Sequence, residues 1–255
     1  MSAVHLLLEG GIAEFRLENP ARMNALTPAM LDQLAAHCDA VERDDAVRVV
    51  LLTAQGNRAF CTGADITAWA DLGPADFARH WVRAGHRVFD RIARLSKPTI
   101  AVLEGHAFGG GLELAAACDI RLIRYGARLA LPETGVGIVP GWSGTQRLRR
   151  LLPEPVLKEM ALFGRPLTAL RALTLGFVAD VADDPCAVAV ELAEKLAQTS
   201  PRATEVAKYM IHAGAGEDQA ALVEALGSGM IAATADKAEG VAAFRAKRKP
   251  QFPGI

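Results

Sequence analysis

Thr99-Ile100-Ala101-Val102-Leu103 runs directly into Glu104-Gly105-His106-Ala107-Phe108-Gly109-Gly110-Gly111, and then into Leu112-Glu113 and a small apolar stretch ending at Cys118. A short apolar run without alternation reads as a strand buried on both faces. The glycine-rich segment after it reads as a loop at the strand's carboxyl end, and Leu112–Cys118 as a short helix. Strand, glycine turn and helix in that order are the unit of a parallel sheet with crossover helices, a class in which ligands gather beyond the carboxyl ends of the strands.

The flanking sequence repeats the pattern. Val47–Thr53 is a second dense β-branched run, expected to be a strand buried on both faces. It is followed by a glycine-containing loop from Gln55 to Asp65 and by helical character up to Leu95, which Pro98 ends. Before it, His5–Leu8 and Ile12–Leu17 flank Glu9-Gly10-Gly11 and predict a hairpin. Thr27-Pro28 predicts a helix start with threonine as the cap, and Leu31, Leu34, Cys38 and Val41 mark its buried face. Two further strands are expected at Asp119–Arg124 and Arg128–Leu131. Beyond Pro153 the chain reads helical, at Pro155–Phe163, Leu167–Leu175, Pro185–Thr199, Pro201–Ala213, Glu217–Thr234 and Lys237–Arg245. Ser200-Pro201 is the expected boundary between a core of residues 1–200 and a helical region of residues 201–255. Lys247-Arg248-Lys249 reads as a solvated tail.

Composition narrows the function. With 28 Lys and Arg against 29 Asp and Glu, the 255-residue chain carries a net charge of −1, which removes the electrostatic case for nucleic acid or an anionic membrane as main partner. The same near-neutrality favours self-association. Cys38, Cys61, Cys118 and Cys186 form no C-x-x-C pair, so a reducing, cytoplasmic setting is expected rather than a disulfide framework or zinc site. Met1 to Glu9 has no cationic leader and does not read as a signal peptide. Apolar stretches are interrupted by Glu113 and Asp119, so no membrane span is expected.

Three segments can carry chemistry. At Gly109-Gly110-Gly111-Leu112-Glu113 the free N–H groups of a helix start can hold a developing negative charge, with Glu113 within a turn of them. The same glycines can instead serve tight packing, with Glu113 favouring the helix dipole. Phe60-Cys61-Thr62-Gly63-Ala64-Asp65-Ile66 is a second glycine turn after a strand. It can present the N–H of Ala64 as the other half of an oxyanion hole, or be a helix start capped by Asp65. Pro132-Glu133 puts a second acid on a rigid loop 20 residues past Glu113. Two carboxyl groups in one poorly solvated pocket titrate apart and can divide acid and base roles; on spacing alone a local capping or pairing role for Glu133 is the stronger reading. Cys61 has no activating neighbour in sequence and reads as packing; His106 reads as structural. No P-loop or G-x-S-x-G motif occurs.

The ordered set of segments resembles the enoyl-CoA hydratase/isomerase (crotonase) superfamily along essentially the whole chain. The matching pieces are Asn19-Pro20 with Met23-Asn24-Ala25-Leu26, Phe60 to Ile66, Gly105 to Glu113, Cys118-Asp119-Ile120, Pro132-Glu133, Val139 to Leu148, and Glu239 to Phe244 with Lys247 to Pro250. The resemblance implies an α/β fold, a spiral of β-β-α units with a helical C-terminal region used for trimers or dimers of trimers. It implies hydration of a trans-2-enoyl-CoA in fatty acid β-oxidation, with enoyl-CoA isomerisation as the alternative, and no cofactor beyond the substrate's CoA. Glu113 and Glu133 would be the catalytic acids, and the N–H groups of Ala64 and Gly110 the oxyanion hole. Substrate or CoA contacts would come from backbone groups around Met23, Asn24 and Ala25, which would line the adenine site, and from Gly63, Asp65, Ile66, Gly109, Pro132, Gly141, Trp142, Phe244 and Lys247. Trp142 departs from the small residue expected there. Its ring either narrows the acyl channel or packs beneath the following helix.

Overall fold

Ala3–Glu9 (β1) and Ile12–Glu18 (β2) pair antiparallel around Gly10-Gly11, from Ala3 opposite Glu18 to Glu9 opposite Ile12. The computed structural model, which describes residues 2–255, begins with this hairpin. Pro28–Glu42 (α1) follows, the Met30 N–H donating to the Thr27 hydroxyl, and it buries Met30, Leu31, Leu34, Cys38 and Val41. From here the chain winds in turns of two strands and a helical segment. Val49–Ala54 (β3) and Ala59–Cys61 (β4) precede Pro74–Asp76 (α2), a wide π-type turn at Phe77–Val82 and Arg83–Ala93 (α3). Thr99–Leu103 (β5) and His106–Phe108 (β6) precede Gly110–Ala116 (α4). Ile120–Arg124 (β7) and Arg128–Ala130 (β8) precede Gly144–Leu151 (α5) and Glu154–Phe163 (α6). Leu167–Thr168 (β9), Ala169–Thr174 (α7), Asp180–Ala182 (β10) and Pro185–Ala197 (α8) complete this unit, which runs to Pro201.

Each turn contributes one strand to each of two sheets. The first has the order β1-β2-β3-β5-β7-β10 and is parallel from β2 onward; the second is β4-β6-β8-β9, with β9 antiparallel. This is the spiral that the resemblance implies. The unalternating strands are explained by what lies on either side of them. Val50, Leu52, Ala101, Leu103 and Ile123 face the main core, while Val49, Leu51, Ile100, Val102 and Leu122 face Ala189 and Ala193 of α8. With both faces covered, a period-two pattern has no solvent side to reveal it.

The structure corrects several expectations. The loops at Gln55–Asp65 and Glu104–Gly111 contain the three-residue strands β4 and β6, and α4 starts at Gly110 rather than Leu112. Leu167–Leu175 opens as a strand before it turns helical, and α5 and β10 were not expected from the pattern. Such pieces are too short to show a period.

A second unit, Arg202–Ile255, carries most of Pro201–Gly214 (α9), then Gln219–Ala232 (α10) and Ala235–Arg245 (α11). The basic tail is not simply solvated: Arg248 makes two bonds to the Glu239 carboxylate, at 2.6 and 2.8 Å, and the Gln251 N–H donates to the same group. Among the described residues, no helix is long and apolar enough to cross a membrane.

Candidate active site

The glycines of 109–111 answer both readings of that segment. Gly109 adopts φ 52° and ψ −128°, a conformation open to glycine, and a Cβ there would lie 2.9 Å from the Glu133 carboxylate. Gly111 serves packing, since a Cβ would approach the Cys61 carbonyl oxygen to 2.1 Å. Gly110 is the first residue of α4, where an N–H has no preceding turn to bond to. It lies against Gly63: a Cβ built on Gly63 would sit 3.0 Å from the Gly110 nitrogen. Ala64 bridges to Leu26 through its neighbours, Leu26 N–H donating to Gly63 and Asp65 N–H to Leu26, so the Ala64 N–H is left out of that ladder. Gly63, Ala64 and Gly110 all line one cavity of about 150 Å³.

Glu113 and Glu133 line the same cavity and are both buried. Glu113 sits one turn into α4, and its Oε1 accepts from the Trp142 N–H at 2.8 Å and the Gly144 N–H at 2.6 Å. Those donors flank Ser143, held at φ 83° with its hydroxyl 3.1 Å from His86 Nδ1. Burial pushes the Glu113 carboxyl up to about 7, and the charge of Glu133 adds to the rise. The two N–H groups and nearby Arg147 pull the other way. Glu133 opens the short helical turn Glu133–Val136 after Pro132, and its carbonyl accepts from the Ile138 N–H. Burial raises it to about 7 as well, and its Oε2 is buried without a partner. The two acids therefore differ in kind. Glu113 holds two main-chain donors that favour a carboxylate; Glu133 has only its own N–H for that and one oxygen that no protein donor reaches, which leaves it more inclined to the acid.

Trp142 combines parts of both expectations. It lines the cavity and packs against α3 and the π-type turn, its ring 5.1 Å from that of Trp81 and edge-on to Phe89 at 5.3 Å. Pro132, Gly109, Gly141 and Ile66 also line the cavity.

The remaining expected contacts lie outside that lining. Asn24 is 1% exposed, and its amide is spent on the backbone: it accepts from Asn19 N–H and donates to the Gln55 and Ala59 carbonyls. Its side chain is structural. Met23 and Ala25 lie beside it, and the Thr62 N–H donates to the Met23 carbonyl, which ties this segment to the edge of the site. The Asp65 carboxylate is likewise taken, by Arg22 at 2.7 and 2.8 Å and by the Thr67 N–H and hydroxyl, so Asp65 is the cap its alternative reading described. Phe244, 85% exposed, and Lys247 belong to the second unit. Cys61 is packing, its thiol pushed to about 12 by burial, and His106 accepts from the Arg128 N–H.

Sequence reasoning missed Trp69, Phe77 and Trp81, which also line the cavity. The available signal was Phe77 and Trp81 at a spacing of four in a segment otherwise polar. It missed the two N–H groups that hold Glu113, because a main-chain donor leaves no mark on residue identity.

Comparison with known proteins agrees with this geometry. The enoyl-CoA hydratase/isomerase family matches residues 8–254. A probable enoyl-CoA hydratase of Bacillus subtilis (strain 168) is 36% identical over 100% of both chains. Probable enoyl-CoA hydratase 2, mitochondrial, of Arabidopsis thaliana is 37% identical over 96% of this chain and 83% of its own length. Among solved structures, the enoyl-CoA hydratase from Bacillus anthracis superposes with a TM-score of 0.81 at 33% identity, covering 99% of each chain. Pseudomonas aeruginosa DspI gives 0.82 at 32% identity over 98% of this chain and 96% of its own. With its ββα spiral, its paired acids and a match along nearly its whole length, this chain belongs to the enoyl-CoA hydratase/isomerase family.

Proposed function

We propose that the protein adds water across the double bond of a trans-2-enoyl-CoA to give a 3-hydroxyacyl-CoA. The observation that carries this reading is the pair of buried carboxyl groups, Glu113 and Glu133, on one cavity with the backbone of Ala64 and Gly110. The thioester carbonyl bonds to the N–H groups of Ala64 and Gly110, which polarises the alkene and makes C3 electrophilic. Glu113, as carboxylate, takes a proton from water as its oxygen bonds to C3. The electron pair of the alkene moves onto the thioester oxygen as an enolate, where a pair of main-chain donors is worth most. Glu133, as acid, delivers a proton to C2 and restores the carbonyl; after product leaves, the proton held by Glu113 is released to solvent and Glu133 is reprotonated, which closes the cycle. Water's hydroxyl ends on C3 and a hydrogen on C2; the addition is redox-neutral and calls for no cofactor besides the substrate's CoA. Having both acids favours hydration over isomerisation, which one base can carry.

The test is loss of the enoyl-thioester absorbance of crotonyl-CoA. Wild type is expected to turn it over, with Glu113→Gln and Glu133→Gln each reducing kcat by about 10²–10⁴-fold. A wild type that binds CoA but leaves four- to ten-carbon enoyl-CoAs unchanged overturns the reading. We further assign the 201–255 region to self-association as trimers or hexamers. The assignment is supported by the exposure there of Met210, Ile211, Met230, Ile231 and Phe244. Phe244 and Lys247 are assigned to CoA, Met23 and Ala25 to the rim of its site, and the cytoplasm is the proposed location.

A further inference from the structure

All three tryptophans of the chain, Trp69, Trp81 and Trp142, line the one cavity that holds Glu113 and Glu133, and Phe77 joins them. The rings interlock: Trp69 meets Phe77 edge-on at 5.5 Å, and Trp81 lies 5.1 Å from Trp142. Trp142 has no room to swing aside. A Cβ on Gly85 would fall 2.3 Å from its ring, and one on Gly110 would fall 2.8 Å from it, so backbone closes on the indole from two sides. Its N–H also donates to the Trp81 carbonyl at 3.4 Å. The cavity, about 150 Å³, must hold the reacting carbons and the attacking water. Among the described residues, no Lys, Arg or His lines it, and the only charged groups there are the two acids. A terminal carboxylate on the acyl group would have no cationic partner there and would face the carboxylate of Glu113.

Building on the hydratase reading, we infer that the aromatic wall of Trp69, Phe77, Trp81 and Trp142 restricts this site to short, uncharged acyl groups of about four to six carbons. It excludes medium and long chains and acyl groups ending in a carboxylate. Trp81 and Trp142 set the depth of the site, and the absence of a cation sets its charge preference.

Two measurements test this. The first compares kcat/KM for crotonyl-, hexenoyl- and octenoyl-CoA and for a six-carbon enoyl-CoA ending in a carboxylate, in wild type, Trp81→Ala and the less buried Trp69→Ala. The expected result is a fall of at least tenfold from crotonyl to octenoyl, and of at least tenfold from hexenoyl to its carboxylate analogue. At least one of the two variants should raise the octenoyl-to-crotonyl ratio by tenfold or more. Equal turnover of crotonyl and octenoyl substrates, or of the charged and uncharged six-carbon substrates, overturns the inference, and so does an unchanged ratio in both variants. The second is calorimetric binding of the unreactive butyryl- and octanoyl-CoA. If nothing is hydrated but butyryl-CoA binds at least tenfold more tightly than octanoyl-CoA, the hydratase reading fails and the size restriction stands. If octanoyl-CoA binds as tightly as butyryl-CoA, the restriction fails whatever the turnover.

Discussion

Arg121 and the Glu113–Glu133 pair are both buried ionisable centres in the same unit, and they are treated in opposite ways. Arg121, 5% exposed, donates to the Phe177 carbonyl at 2.5 Å and the Cys118 carbonyl at 2.8 Å, and stacks over the Phe177 ring at 4.8 Å. Beside it, Asp119 accepts from the N–H and hydroxyl of Thr99. This end of the spiral is saturated, and its polar groups tie β5, β7 and the chain before β10 together. At the cavity, by contrast, Glu133 keeps an oxygen with no protein donor and both acids are raised by burial. A buried polar group that is fully bonded specifies architecture; a carboxyl left short of partners on a cavity is a candidate for chemistry.

The comparison can be broken at either end. Arg121→Met keeps the volume but strands the carbonyls that Arg121 serves. The expected cost is about 3 kcal/mol of stability or more, read as a shift in the denaturant midpoint, with turnover per folded molecule unchanged. A stability loss under 1 kcal/mol would show that the saturated end is not what holds these strands.

A smaller effect of opposite sign is expected at the cavity. Glu133 has a folded-state value of about 7 against an ordinary 4.5, so the native state holds this proton more tightly than the unfolded chain. Stability from this group is then present below about pH 4.5 and is lost as pH rises through 7. Glu133→Gln removes that loss. It should stabilise the protein by about 1–3 kcal/mol at pH 8 and by little at pH 4.5, even as it disables the chemistry. Melting curves at the two pH values check this, and equal curves for wild type and variant at pH 8 would contradict the assigned strain.

The same contrast explains what could be read from the sequence. The strands at Val47–Thr53 and Thr99–Leu103, the capped helix at Thr27 and the acids at 113 and 133 all carry their message in residue type. The short strands β4, β6 and β10 do not, because three residues pairing in a second sheet show no period. Nor did residue type show that the side chains of Asn24 and Asp65 are structural, which leaves only their backbone for the expected ligand contacts. Both are polar residues at turns, and only the fold shows their side chains already spent on Ala59, Gln55, Arg22 and Thr67. The cavity's aromatic wall is assembled from residues 69 to 142 by the segment before α2, the π-type turn and the loop before α5, a convergence that spacing along the chain does not show.

The central claim is that one buried carboxyl works ionised while its neighbour works protonated. The most direct measurement is the pH dependence of kcat/KM for crotonyl-CoA hydration by the wild-type protein. With Glu113 required as carboxylate and Glu133 as acid, both raised to about 7, the account predicts a narrow bell centred near pH 7 whose two limbs belong to the coupled pair. A rate that stays level from pH 5 to about 9 would contradict it.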